Sequence, residues 1–227
     1  YLTVKNITFD ASTSSSYGTA LEITGETNSL RIEGNVFNGY SYNGNTSNHN
    51  LVESTSNTGT GMVFTGNTLT EGSAGLYFDN GAADDGELLI SNNTCNGQYQ
   101  GIYVGNVNSV EISGNTIAGD HGGIGIYVYS CRPAMITGNK VTEFTESQLH
   151  YGIHLSSSNG NSSGERTVVA NNMIKAYLHA IYLYDSGYSD IYYNTLINTY
   201  SSAGTSYGTL YLYNQSHINI KNNIITN

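Results

Sequence analysis

An asparagine recurs eight times in this chain within one fixed apolar frame. The residue three positions before each asparagine and the residue two positions after it are apolar in all sixteen cases. Self-similarity at a period of 22 to 33 residues is typical of a solenoid, in which each repeat buries its apolar side chains against its neighbours. These frame asparagines are Asn35, Asn67, Asn93, Asn115, Asn139, Asn172, Asn194 and Asn223.

A second pattern lies between the frame asparagines. Six times, a tyrosine or histidine stands between two apolar residues, and this alternation has the period of a β-strand rather than of a helix. In four of the six repeats this residue lies 12 positions before the next frame asparagine, so the strands keep their spacing while loops elsewhere vary. The six residues are Tyr77, Tyr103, Tyr127, His154, Tyr182 and Tyr211.

The two patterns together predict an all-β fold, a parallel β-helix of about eight to nine coils. Val107–Asn115 also fits a leucine-rich repeat, but that fold places a helix or 3₁₀ turn opposite its strand, where this chain has strand periodicity. We expect each frame asparagine to adopt the left-handed backbone that a sharp bend requires. Its amide, repeated about every 4.8 Å, can also hydrogen-bond along the axis.

The Gly-Asn-x-apolar units and strands such as Gly101–Val104 resemble the right-handed parallel β-helix repeats of the pectate-lyase-like superfamily. The resemblance extends from about Leu2 to Ile225 and implies a right-handed solenoid. It implies no single activity, because this fold hosts lyases, hydrolases, epimerases, tailspikes and adhesins.

The composition indicates one continuous domain over residues 1–227, without a linker. Only 11% of the residues are charged, and the net charge of −10 disfavours nucleic acid and anionic membranes as partners. No apolar run approaches the length of a membrane span.

The chain begins and stops inside repeats without terminal caps. We therefore expect a segment of a longer secreted or cell-surface protein, whose open coil ends contact other segments or further copies.

The outward residues of the short strands are the strongest functional signal. Stacked coils place the six Tyr and His residues named above in one column, and a second outward column holds Asp79, Gly105, Tyr129, Ser156, Tyr184 and Tyr213. Rings with polar tips suit stacking on sugars, although a purely structural ladder explains tyrosine-rich strands equally well. We predict a rigid adhesive or structural module whose glycan-binding residues are Tyr77, Tyr103, Tyr127, Tyr129, Tyr182, Tyr184, Tyr211 and Tyr213.

The alternative is a carbohydrate-active enzyme, with a polysaccharide lyase or epimerase favoured over a glycoside hydrolase. Tyr151–His154 resembles alginate epimerase and lyase grooves over four residues but lacks the acidic residue that adjoins this motif in that family. No Lys or Arg lies in the columns to neutralise a uronate, so we expect no polyuronate lyase activity. Candidates for proton transfer in such a groove are His150, His154, His179, Tyr182 and Asp185.

Two smaller features concern metals and disulfides. Calcium is the only cofactor for which candidate ligands appear, the carboxylates of Asp79, Asp84 and Asp85, and an ordinary acidic loop explains them as well. Cys95 occupies a frame position, which predicts a buried free thiol. A disulfide between Cys95 and Cys131 is left open.

Overall fold

The computed structural model describes residues 1–13, 15–25, 28–42, 44–55, 60–119, 122–143, 149–158, 160, 164–200 and 207–226, with the backbone alone over 81–85. The first eight strands are β1 (Leu2–Lys5), β2 (Thr8–Asp10), β3 (Leu21–Ile23), β4 (Leu30–Glu33), β5 (Val36–Asn38), β6 (Asn50–Ser54), β7 (Met62–Thr65) and β8 (Thr68–Thr70). A 3₁₀ helix, Ser47–His49, precedes β6.

The next eight strands are β9 (Ala74–Ser91), β10 (Thr94–Asn96), β11 (Gln100–Ser113), β12 (Thr116–Gly119), β13 (Ile124–Tyr129), β14 (Ala134–Thr137), β15 (Lys140–Glu143) and β16 (Tyr151–Ser156). The last eight are β17 (Thr167–Ala170), β18 (Met173–Ala176), β19 (His179–Tyr184), β20 (Ser189–Tyr192), β21 (Thr195–Asn198), β22 (Leu210–Tyr213), β23 (Asn219–Lys221) and β24 (Ile224–Thr226). All their pairings are parallel, so the chain is a β-solenoid of about eight turns.

Each complete coil contributes one strand to each of three faces. The first face, called here the tyrosine face, holds β3, β6, the first parts of β9 and β11, β13, β16, β19 and β22. The second holds β1, β4, β7, the later parts of β9 and β11, β14, β17, β20 and β23. The third is the nine-stranded sheet from β2 to β24. Because β9 and β11 run through two faces without a break, the first two faces form one 15-stranded sheet.

The apolar frame around the asparagines is the core. Fourteen of the sixteen flanking residues are buried. The other two, Ile220 and Ile225, lie in the last coil and are 42% and 49% exposed. A first coil lacks the asparagine: Ile7 takes its place, its N–H donates to Asn35 Oδ1 at 2.9 Å, and Phe9 stacks on Phe37 with ring centroids 4.8 Å apart.

The frame asparagines form a continuous ladder of amides at the corner between the second and third faces. Asn115 is representative: its Nδ2 donates to Asn139 Oδ1 at 3.0 Å and to the Ile90 carbonyl at 3.0 Å. Its Oδ1 accepts the backbone N–H and the Nδ2 of Asn93, at 2.9 and 3.0 Å. All the frame asparagines before Asn223 are about 1–2% exposed, so the ladder satisfies backbone groups that water does not reach.

The left-handed backbone lies one residue earlier than the sequence predicted. The residue before each frame asparagine has φ between 55° and 66°, whereas none of the frame asparagines is among the positive-φ residues of the described chain. Glycine or asparagine fills this bend position in every coil except one, where Tyr193 has φ 55°. The prediction that the frame asparagine itself makes the bend is therefore wrong; its side chain is selected for the ladder.

Replacing Tyr193 with glycine is expected to stabilise the protein. Left-handed backbone costs a side chain with a Cβ about 1 kcal/mol or more, and the Tyr193 ring is 61% exposed, with an edge contact to Tyr192 at 6.5 Å. We expect Tyr193→Gly to raise the free energy of unfolding by about 0.5–1 kcal/mol, measured by thermal or urea unfolding. Tyr192→Gly, within strand β20, is the control and is expected to lower it. A lower melting temperature for Tyr193→Gly would contradict this explanation.

A second corner, at the start of the tyrosine face, requires small residues. A Cβ on Gly101 would lie 2.5 Å from Ile117 Cγ2 and 2.6 Å from the Gly125 carbonyl oxygen. Gly125 and Gly152 meet the same obstruction from the core residues of the next coils. The backbone therefore bends sharply here. As a result, the residues that precede these glycines point outward and lie in register, and they form a third column beside the two tyrosine columns.

Both cysteines are free and buried. Cys95 packs between Leu69 and Ile117 in the nine-stranded sheet, which confirms the prediction of a buried thiol. Cys131 follows β13, and its Sγ lies 3.4 Å from the Tyr129 carbonyl oxygen. Burial raises the pKa of each thiol to about 12, so neither is a thiolate at neutral pH.

Candidate functional site

The first tyrosine column has the predicted register, and its rings pack on each other. Tyr77 stacks on Tyr103 at 4.4 Å, Tyr127 on His154 at 4.6 Å, and Tyr182 on Tyr211 at 5.1 Å between ring centroids. Between these pairs the contacts are edge-to-face, at 5.2 Å for Tyr103 with Tyr127 and 4.7 Å for His154 with Tyr182. The rings are half-buried and cover one another's faces. The first column therefore stabilises the stack of coils and leaves little ring face for a ligand.

This column continues with two glutamates that the sequence analysis did not include. Strand pairing places Glu53 beside Tyr77 and Glu22 beside Glu53. Partial burial, and secondarily the charge of Glu22, raises the pKa of Glu53. The apolar-Glu alternation of β3 and β6 is the signal that could have located them. One end of the tyrosine face is therefore acidic.

The second tyrosine column is the more exposed one. Tyr129, Tyr184 and Tyr213 are 39%, 38% and 49% exposed. Tyr184 stacks on Tyr213 with centroids 5.0 Å apart and planes 2° from parallel. Tyr129 lies between Gly105 and Ser156 and has no ring partner among the described residues. Ring faces available to a ligand are therefore found in the second column.

Four of the aromatic residues converge at the start of β16 and β19. Tyr151 and His179 are neighbours in the third outward column, with ring centroids 5.5 Å apart. Tyr151 also contacts His154 and Tyr182 at 5.5 Å each, and His179 contacts Tyr182 at 5.3 Å. Tyr151 was not among the sequence-predicted catalytic residues. Tyr151 lies two residues before Ile153, and His179 lies two residues before Ile181. This shared position is the sequence signal that could have shown that the two side chains are neighbours.

Both imidazoles of this cluster are held neutral. Both ring nitrogens of His154 are buried and have no hydrogen-bond partner among the described residues. Burial, and secondarily the charge of His179, lowers the pKa of His154 to about 4. His179 Nδ1 lies 2.8 Å from the Gly208 carbonyl oxygen, and burial lowers its pKa although this hydrogen bond opposes the shift. A covered His154 can pack, but it cannot reach a substrate proton in this arrangement.

The other two candidates for proton transfer lie outside the cluster. The His150 ring contacts Tyr177 at 6.2 Å and the edge of Tyr151 at 6.3 Å. Asp185 follows β19, three residues beyond Tyr182 and thus about 10 Å along the strand; its carboxylate accepts a hydrogen bond from Asn214. Of the five sequence candidates, the structure brings together His154, His179 and Tyr182.

The predicted calcium ligands are only partly described. Asp79 accepts hydrogen bonds from Asn106 Nδ2 at 2.8 Å and from the Tyr103 hydroxyl at 3.4 Å. The side chains of Asp84 and Asp85 lie outside the described residues. Among the side chains that are described, no group of three or more His, Cys, Asp or Glu is placed to hold a metal ion. A calcium site at these residues stays a prediction.

Two of the basic residues form ion pairs outside the tyrosine columns. Lys175 Nζ lies 3.6 Å from Glu143 Oε2 on the nine-stranded sheet. Arg166 Nε lies 2.7 Å from Asp190 Oδ1, and its Nη2 donates to the carbonyls of Ser189 and His217. Neither side chain belongs to the two tyrosine columns.

In the part of the chain that the structure describes, no helix is long and apolar enough to span a membrane.

Comparison with known proteins identifies the family. The family model described as "Right handed beta helix region" matches residues 51–225. One similar solved structure is that of the periplasmic alginate epimerase AlgG, with 12% sequence identity and a TM-score of 0.46, over 85% of this chain and 44% of that chain. The chain thus spans less than half of that enzyme's length. No curated protein matches the sequence. Because the family model covers well over half of the chain, the protein belongs to the right-handed β-helix family.

Proposed function

We propose that this protein is a rigid extracellular or cell-surface module that binds a neutral polysaccharide through its second tyrosine column. The observation that carries the proposal is the exposure of Tyr129, Tyr184 and Tyr213 in one register on one face. A tyrosine ring offers apolar area together with a hydroxyl, which matches the alternating C–H and O–H groups of a sugar.

Charge favours a neutral glycan over a polyuronate. The chain carries 17 Asp and Glu against 7 Lys and Arg, and the tyrosine face begins with Glu22 and Glu53. Neither column holds a cation to pair with a uronate carboxylate. An anionic polymer would therefore be repelled by the net charge and by the acidic end of the face.

Rigidity supports binding to a polymer. The amide ladder holds the coils together at the corner between the other two faces, and the rings of the first tyrosine column pack along the tyrosine face itself. The exposed rings therefore stand on a stacked scaffold, which limits the freedom that is lost when a ligand binds. Each ring contributes little alone, about 0.5–1.5 kcal/mol by analogy with aromatic pairs. Contacts repeated along one polysaccharide add up, as in other multivalent binding.

The enzymatic alternative has weaker support. The convergence of Tyr151, His154, His179 and Tyr182 favours it, since Tyr and His are proton-transfer groups. Both His154 nitrogens are covered, however, and Asp185 points to a separate partner, Asn214. We therefore propose that this cluster stabilises the stack of coils together with the first tyrosine column. The ligand binds to the neighbouring second column.

Affinity electrophoresis tests the proposal. The protein is run in native gels containing hydroxyethylcellulose, galactomannan or xylan, with alginate and polygalacturonate as anionic comparisons. We expect retardation by at least one neutral polymer, and Tyr129→Ser/Tyr184→Ser/Tyr213→Ser to weaken it more than tenfold, since three rings account for about 1.5–4.5 kcal/mol.

The matched control is Tyr1→Ser/Tyr193→Ser, which removes two exposed tyrosines away from the tyrosine face. Its retardation is expected to equal that of the unmodified protein. Unchanged mobility of the unmodified protein in every neutral polymer would overturn the proposal. Retardation by alginate alone would transfer support to the enzymatic alternative.

A further inference from the structure

A polar hollow lies in the turns that follow β19 and β22, beside the exposed end of the second tyrosine column. It has a volume of about 350 Å³ and is lined by Asp185, Gly187, Asn214, Gln215 and Ser216. The lining contains a carboxylate, two amides and a hydroxyl, and it contains no apolar side chain. Ligand-binding clefts have volumes of about 300–1,000 Å³, so the hollow is large enough for a small polar ligand.

Two stacked aromatic pairs border this polar stretch. Tyr184 and Tyr213 immediately precede it in their coils, and their parallel rings lie 5.0 Å apart between centroids. Tyr188 and His217 immediately follow it, with rings 4.4 Å apart and planes 6° from parallel. In each of the two coils, three residues therefore separate one ring of each pair, and the hollow lies along these segments. Rings next to a few hydrogen-bonding groups are the usual composition of a small-molecule site.

One side chain of the lining is used within the protein. Gln215 Oε1 accepts the Ser186 N–H at 3.2 Å, and its Nε2 donates to the Tyr213 carbonyl at 2.6 Å. It continues a short ladder, in which Ser186 Oγ accepts the Ser158 N–H and Ser158 Oγ accepts the Cys131 N–H, each at 3.2 Å. Gln215 thus holds the two turns together.

The other polar side chains of the lining keep capacity for a ligand. Asp185 accepts a hydrogen bond from Asn214 Nδ2. Among the residues that the structure describes, neither of these side chains has a further partner, and the Ser216 hydroxyl has none. Asn214 and Ser216 are exposed. A carboxylate only accepts, whereas an amide and a hydroxyl both donate and accept, so the hollow offers donors and acceptors together with one negative charge.

We infer that this hollow is a hydrogen-bonding subsite for one neutral sugar unit, which contacts the exposed Tyr184 and Tyr213 pair. The hydroxyl groups of the sugar bind Asp185, Asn214 and Ser216, because a hydroxyl can donate to the carboxylate and exchange hydrogen bonds with the other two. An apolar ligand would leave these groups without partners, and the carboxylate repels an anionic ligand. This inference rests on the proposed function and adds to it the residues that select a sugar by its hydroxyl groups.

Removing two of these side chains tests the inference. Asp185→Ala/Asn214→Ala removes both partners of one hydrogen bond and leaves the tyrosines in place. The apparent affinity is obtained from retardation at several concentrations of hydroxyethylcellulose, galactomannan or xylan, whichever retards the unmodified protein. We expect it to fall at least about tenfold, since a hydrogen bond to a charged group and one to a neutral group are lost.

The matched control is Asn171→Ala/Asn222→Ala. These two asparagines are exposed and have φ of 58° and 55°, close to the 49° and 51° of Asp185 and Asn214. Alanine is therefore strained to a similar degree at all four positions. Asn171 and Asn222 precede frame asparagines at the corner between the second and third faces, away from the hollow. The affinity of this variant is expected to equal that of the unmodified protein.

The outcomes separate the subsite from the general function. If the unmodified protein is retarded and Asp185→Ala/Asn214→Ala is retarded as strongly as the control, the subsite is wrong and binding depends on the rings alone. If no neutral polymer retards the unmodified protein, both fail. Circular dichroism checks that the variants are folded. Should Asp185→Ala/Asn214→Ala not fold, Ser216→Ala decides: the subsite requires a loss of at least about threefold, and an unchanged affinity overturns it.

Discussion

Asn115→Ala is expected to lower the free energy of unfolding by about 3–5 kcal/mol, although it removes only one amide. The change deprives the buried Asn93 backbone N–H of its acceptor, and it removes a donor from the Ile90 carbonyl and from Asn139 Oδ1. A buried polar group that loses its partner costs about 1–3 kcal/mol, and here several lose one at once. The shift of the urea midpoint, followed by circular dichroism, measures the effect.

The matched control is Asn92→Gly, in the adjacent coil at the same corner. Asn92 is exposed and occupies the left-handed bend position with φ 56°, which glycine adopts without strain. We expect this variant to remain within about 0.5 kcal/mol of the unmodified protein. Equal midpoints for the two variants would mean that the ladder contributes no net stability.

The fold was predictable because burial is encoded in short-range spacing. Apolar residues such as Ile112 and Ile117 bracket each frame asparagine at fixed offsets, and a coil has only one way to bury both. The same spacing fixed the register of the tyrosine columns. The bend was misplaced by one residue, although glycine or asparagine before seven of the eight frame asparagines was a usable signal.

The site was less predictable because a strand pattern gives the face of a side chain but not the orientation of its ring. Tyr103 and Tyr129 are both outward in the sequence pattern, yet neighbouring rings cover the first while small residues flank the second. The contact between Tyr151 and His179 depends on a sharp bend next to Gly152, which alternation alone does not reveal.

His154 is expected to make the protein less stable in mild acid. Burial lowers its pKa to about 4 in the folded protein, from 6.5 for an unperturbed imidazole. The folded state therefore favours the neutral ring, and this contribution is fully present above pH 6.5 and is lost as the pH falls from 6.5 to 4. A shift of this size corresponds to about 3 kcal/mol in total, of which about 2 kcal/mol is lost between pH 7 and pH 5.

Among the residues that the structure describes, the groups that face His154 are Tyr127, Tyr151, Tyr182 and His179, and none of these is a carboxylate that would stabilise an imidazolium. His179 adds to the effect in the same direction, since burial lowers its pKa too.

His154→Tyr would continue the column with an uncharged ring at these pH values. We expect urea unfolding of this variant to lose less stability between pH 7 and pH 5 than the unmodified protein does. His217→Tyr, at an exposed histidine in the turn between β22 and β23, is expected to keep the original pH dependence. If His154→Tyr and the unmodified protein had the same pH dependence, His154 would be accessible to water and free to act as a base, and the enzymatic alternative would regain support.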